Sequence, residues 1–90
     1  MTVHYLKIWP EYFEKVDTGR KSVELRFNDR DYRMGDRLCL QEYDPDTRSY
    51  TGRECWVEVT DVLQGGPWLA EGFAALSIRE IGRRWCGSSP

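Results

Sequence analysis

Long apolar runs are missing from this 90-residue sequence: none approaches the ~20 consecutive apolar residues a helix needs to cross a bilayer. The opening segment, MTVHYLKIWPEYFEK, also lacks the apolar stretch and small-residue cleavage site of a secretory signal. A cytoplasmic protein with no membrane contact is the expectation. Histidine is nearly absent, at one residue, and the three cysteines (Cys39, Cys55 and Cys86) are odd in number and stand at no metal-ligand spacing. A zinc site is therefore not expected. Cys39 lies in RLCL and Cys55 in ECWVEV, strand-like runs in which cysteine reads as a core thiol of a reducing compartment. A glycine-rich phosphate loop and a dinucleotide fingerprint are absent too, so no cofactor is expected.

What is present fits one small domain, residues 1–90. A chain of this length buries only roughly 60% of its unfolded surface, yet 40% hydrophobic and 13% aromatic residues suffice for a thin core. The formal net charge of −2 argues against a coat on DNA. The charge is uneven, however. From Arg20 to Arg37 lie six basic residues (Arg20, Lys21, Arg26, Arg30, Arg33, Arg37) and four acidic ones (Glu24, Asp29, Asp31, Asp36). A locally basic stretch on an acidic molecule suits one anionic or polar ligand site, or is simply a solvated loop of mixed charge.

A strand is expected over 2–8, apolar on both faces. Pro10, with its fixed φ and missing N–H, starts a helix over 10–18 that has Glu11 and Glu14 near its positive end. Tyr12, Phe13 and Val16 form its apolar stripe and Gly19 its stop. SVELRF (22–27) alternates cleanly, and burial of Val23, Leu25 and Phe27 would present Ser22, Glu24 and Arg26 in a row on the opposite face. The loop NDRDYRMGD follows, with Gly35-Asp36 as a turn. Further strands are expected over 37–43, over 53–63 with Cys55, Val57, Val59 and Val62 inward, and over 74–81. DPDTRSYTG is the polar hairpin connection between the first two of these. Gly65-Gly66-Pro67 breaks the long strand, and PWLAEGF is a loop or a single helical turn. The tail GRRWCGSSP is expected to fray beyond about residue 84. Five strands with one helix after the first give an α+β class, a small and mostly antiparallel β-barrel.

The run KIWPEYFEKVDTGRKSVELRFNDRDYRMGDRLCLQEYD resembles the ASCH family of PUA-like barrels, and the resemblance extends over roughly residues 3–80. It is carried by a first strand, a helix, and Gly19-Arg20-Lys21-Ser22-Val23-Glu24-Leu25-Arg26 against the family element G-x-K-[TS]-x-E-x-R. Gly35-Asp36 then precedes a strand, as in the family. LKIWPEYF, NDRDYRMGD and LQEYDPDTRSYTGRE look like a compact bacterial and phage subfamily. The resemblance implies RNA or nucleotide binding in a cleft between barrel and helix. One branch of very small members hydrolyses the amide of N4-acylated cytidines with a lysine, a threonine three residues later and a glutamate in the C-terminal third. Lys21 matches that lysine, position 24 is Glu rather than Thr, and Glu71 is a loose counterpart of the distant acid.

Each candidate residue has a structural and a functional reading. Lys21 either caps the end of the helix or is drawn into the cleft, to transfer a proton or stabilise an oxyanion. Ser22 is a local backbone partner or a hydroxyl nucleophile, and Glu24 is a salt-bridge partner or forms an acid/base pair with Lys21. Lys7, Trp9, Arg26, Glu42 and Tyr43 are candidate lining residues. Their aromatic rings could stack a base, though they could equally be core, and Glu42 could accept from an exocyclic amine. Arg30 and Arg33 read as phosphate or ribose contacts, or as solvated loop residues. His4 reads as packed, and Trp56, Trp68 and Trp85 as core or rim.

The leading expectation is a cofactor-free amidohydrolase acting on N4-acetylcytidine-type nucleosides through Lys21, Glu24, Ser22 and Glu71. The alternative is a non-catalytic RNA- or nucleotide-binding module, and a third is a ribonuclease using Lys21, Tyr43 and His4. A nucleoside or RNA is the expected partner, and a monomer the expected state.

Overall fold

A computed structural model describes residues 1–85 of the chain; Cys86 and the remaining tail lie outside the described residues. Five strands form one sheet: β1 (Val3–Ile8), β2 (Val23–Phe27), β3 (Arg37–Asp44), β4 (Ser49–Gln64) and β5 (Phe73–Trp85). Helix α1 (Pro10–Asp17) lies between β1 and β2 in the chain. The order across the sheet is β1-β3-β4-β5-β2. β1 runs parallel to β3, and the other three pairings are antiparallel. The result is a small α+β half-barrel whose two edges are β1 and β2.

One face of the sheet closes over the core. Leu6 and Ile8 of β1, Leu38 and Leu40 of β3, Cys55, Val57 and Val59 of β4, and Ala74, Leu76 and Ile78 of β5 pack there. Phe13 and Val16 of α1 complete it. β4 alternates inward through Cys55, Val57 and Val59, then slips register between Val59 and Asp61, so that Val62 also turns inward. β1 departs from its expected two-sided character. His4, Leu6 and Ile8 are buried, whereas Val3, Tyr5 and Lys7 are exposed. The hairpin between β3 and β4 is tighter than the composition of 44–52 implies, since β4 already starts at Ser49. Gly52, at φ +95°, takes up a two-residue register slip there, and Tyr50 packs edge-on against Tyr43.

The Gly35-Asp36 turn has a physical basis in buried polar groups. Gly35 adopts φ +89°, and the Asp36 carboxylate turns inward to accept from Thr2 N–H (3.1 Å), Arg33 N–H (3.1 Å) and the His4 ring (2.9 Å). The ring of Tyr32 meets His4 edge-on at 4.8 Å. His4 is thus a packed, hydrogen-bonded residue.

β2 is inverted relative to the expected burial. Leu25 and Phe27 are 59% and 56% exposed and Val23 is exposed as well, while Glu24 is buried on the inner face. Alternation separates two faces but does not say which one points inward, and at this edge the polar set does. Replacement of Leu25 by lysine is therefore expected to change stability by less than about 0.5 kcal/mol. Leu76→Lys, on the buried face of the neighbouring β5, should abolish folding; urea unfolding of the two variants distinguishes the faces.

Candidate functional site

The turn between α1 and β2 sets the site. Gly19, at φ +77°, ends the helix, and the Thr18 hydroxyl donates back to the Glu14 carbonyl at 2.7 Å. The Lys21 N–H then reaches the Lys15 carbonyl at 2.9 Å, which folds Lys21 back alongside β2. Its Nζ donates to Glu24 Oε1, and Arg26 Nε donates to Glu24 Oε2 at 2.7 Å. The Glu24 side chain is 7% exposed, with Lys21 and Arg26 at about a quarter each. Removing a carboxylate from water costs several kcal/mol unless charge and hydrogen bonds compensate. Here two cations take one oxygen each.

Arg26 has a second task. Its Nη2 crosses from β2 to the Lys7 carbonyl of β1 at 2.8 Å, and Arg30 Nη1 reaches the Tyr5 carbonyl at 3.3 Å. Guanidinium-to-carbonyl bonds cover the carbonyl edge of β1 where a closed barrel would have a strand ladder. One open cleft of about 360 Å³ lies at this seam, and a second of about 390 Å³ adjoins it beside α1 and β2. The first is lined by Lys7, Ile8, Trp9, Tyr12, Glu24 and Arg26. The second is lined by Tyr12, Lys21, Val23, Glu24 and Leu25, so Tyr12 and Glu24 belong to both. Trp9 and Tyr12 are each nearly half exposed and offer ring surface beside the charged trio.

Residues 3–78, which include every residue lining these clefts, match the family described as a domain of unknown function, DUF3850. The chain belongs to that family. It is also 36% identical over 69 residues to the "Uncharacterized 12.9 kDa protein in GpA 3'region" of Escherichia phage P2. That alignment takes in 77% of this chain and 62% of the phage protein, so the DUF3850 chain spans less than two thirds of its relative's length.

The DUF3850 fold thus brings together Lys21, Glu24, Arg26, Lys7 and Trp9, sets Arg30 on the same β1 edge, and places the other candidates outside the clefts. Ser22 is exposed, and its carbonyl accepts the Ile78 N–H at 2.9 Å, stitching β2 to β5. Glu71 is exposed in the β4–β5 loop, beside Gly72, whose carbonyl accepts the Asn28 N–H beyond the far end of β2 from Lys21. Glu42 is 2% exposed and accepts from Arg53 (2.7 and 2.6 Å) and the Thr51 hydroxyl (2.5 Å). Burial works to raise its carboxyl, but the bonds from Arg53 and Thr51 outweigh it and hold the group below its ordinary range. Tyr43 lies on the outer face of β3, with the Lys7 ammonium 4.1 Å from its ring centroid. Arg33 pairs with Asp31 in the exposed loop.

Two further residues, Tyr12 and Tyr32, belong to the seam region. The apolar stripe places Tyr12 with Phe13 and Val16, but only the latter two are buried and the Tyr12 ring is nearly half exposed. Tyr32 is buried near Arg26 and Arg30. Burial pushes its phenol up, against the opposing pull of the two guanidinium charges. Away from the seam, ligand-type atoms of Asp17, Cys55 and Glu80 lie within 4.8 Å of one another. The Cys55 thiol there donates to Glu80 Oε2 at 3.4 Å.

Proposed function

We propose that the chain is an ASCH-type module that binds a nucleobase carrying an exocyclic amine, cytosine first, in the seam between β1 and β2. One observation carries this reading: the buried Glu24 carboxylate, flanked by Lys21 and Arg26, opens on clefts walled by Trp9 and Tyr12. Turning a carboxylate inward and three largely exposed apolar side chains outward runs against the usual burial pattern of an edge strand, and such local conflicts concentrate at functional sites. Glu24 supplies an acceptor for the amine, Lys21 and Arg26 supply donors for ring nitrogen and carbonyl, and the aromatic rings offer stacking. Calorimetric titration with cytidine monophosphate tests it. Lys21→Ala and Glu24→Gln should each weaken binding by about tenfold or more, the loss of one charge-assisted hydrogen bond. Unchanged affinity in both variants would overturn the assignment.

A hydrolytic reading is favoured by the direct Lys21–Glu24 contact. In it, water attacks the acyl carbon of an N4-acylated cytidine while Glu24 takes the proton and Lys21 holds the oxyanion. Glu24 then returns the proton to N4 as the C–N bond breaks, releasing cytidine and a carboxylic acid. Binding ranks first because both Glu24 oxygens already face cations, and because Ser22 and Glu71 stand outside the clefts. Loss of the acylcytidine absorbance with the unmutated chain, and not with Lys21→Ala, would raise the module to an enzyme.

A further inference from the structure

We infer that the outer face of β1, β3 and β4 beside the seam is a stacking surface for single-stranded nucleic acid, so that the ligand is a strand and not a free nucleoside. The inference rests on the reading of the seam as a base-binding cleft. Lys7 joins the two, since it lines the cleft and its ammonium stands over the ring of Tyr43.

Register places Tyr5 beside Cys39 and Cys39 beside Trp56. The Tyr5 and Trp56 rings meet edge to face at 5.9 Å, with the fully buried Cys39 between their strands. Further along the same face Tyr43 and Tyr50 meet at 5.1 Å. Tyr5 and Tyr50 are each more than half exposed. The cross-strand neighbour of Trp56 on β5 is Gly82, which has no side chain to cover the indole from that side. The solvated face of a sheet ordinarily carries polar side chains, so four aromatic rings in two adjacent pairs ask for a flat, apolar partner.

Charge narrows that partner. Lys7 of β1, Arg37 at the start of β3 and Arg30, bonded to the Tyr5 carbonyl, border the face, and among the described residues none of them has a carboxylate within ion-pair distance. Of the carboxylates on the face, Glu58 is ion-paired with Arg79, while Glu54 accepts from the neutral Gln41 amide at 3.2 Å and keeps its charge, so the three cations still outnumber it. Rings for bases and cations without a carboxylate partner for phosphates are what a single strand requires, whereas a duplex keeps its base faces stacked inside. An acidic peptide would satisfy the cations and leave the rings without partners.

Fluorescence anisotropy with a labelled eight-nucleotide cytidine-rich RNA, beside calorimetry with cytidine monophosphate, tests this. The octamer should bind at least tenfold more tightly than the mononucleotide. Its affinity should fall with salt at a log–log slope of about −2, the value for three phosphate contacts on a single strand. Tyr5→Ala should weaken the octamer by about fivefold and Arg37→Glu by about tenfold, with mononucleotide binding unchanged. Thermal melts confirm that each variant is folded. Equal affinities for octamer and mononucleotide, or octamer binding indifferent to both face variants, would overturn the inference while leaving the cleft intact. Octamer binding that responds to Tyr5 and Arg37 but not to Lys21→Ala would instead sink the cleft and keep the face.

Discussion

Replacing Arg53 with alanine is expected to destabilise the fold by about 3 kcal/mol, the lower end of what breaking a buried ion pair costs. The Glu42 carboxylate is essentially inaccessible and receives both arms of the Arg53 guanidinium. Without them it keeps, among the described residues, only the Thr51 hydroxyl. The guanidinium also lies over the Phe13 ring, 4.8 Å from its centroid, so the variant loosens α1 as well. In a domain of this size the loss should lower the melting temperature by more than about 10 °C. Glu42→Gln in the same background should recover part of the loss, because a neutral amide is cheaper to leave buried than a carboxylate. A melting temperature within about 2 °C of the parent for Arg53→Ala would refute a structural role for the pair.

The second large effect concerns acid. Burial pushes the Asp36 carboxyl up, but bonds from His4, Thr2 N–H and Arg33 N–H outweigh it and hold the group below its ordinary value of 3.8. A carboxyl whose folded pKa is depressed contributes stability at pH values above its unfolded pKa, and that contribution disappears as pH falls through the folded value. Glu42, depressed from 4.5, acts in the same direction. Stability should therefore be flat above about pH 5 and fall steeply below about pH 4. Asp36→Ala, which orphans three donors at once, should lose about 3 kcal/mol at neutral pH and show a shallower decline on acidification. Urea midpoints from pH 3 to 7 measure both. Parallel pH profiles for the variant and parent would contradict the role given to Asp36.

Much of the architecture was legible in the chain. Strand alternation, Pro10, Gly19, the Gly35-Asp36 turn and the Gly65-Gly66-Pro67 break each constrain backbone locally, and those constraints survive into the fold. The adjacency of Lys21, Glu24 and Arg26 was legible too, because positions 24 and 26 share a strand face and position 21 lies at the preceding turn. The direction of that face was not. It depends on β2 becoming an edge strand beside β5, a consequence of strand order and not of the six residues themselves. The Arg26 bond to the Lys7 carbonyl depends on the same long-range closure. The Glu42–Arg53 pair was hidden by the slip at Gly52, which alters which residues stand opposite each other across the hairpin. Glu71 looked comparable to a catalytic acid by its order along the chain alone, and chain order does not fix position in space.

The base-binding seam is tested most directly by amide chemical-shift mapping with cytidine monophosphate on the isotope-labelled chain. Saturable shifts should gather on Lys7 to Tyr12 and Lys21 to Arg26, and should vanish in Lys21→Ala. The absence of saturable shifts at millimolar ligand, or shifts confined to residues outside these two segments, would contradict the assignment.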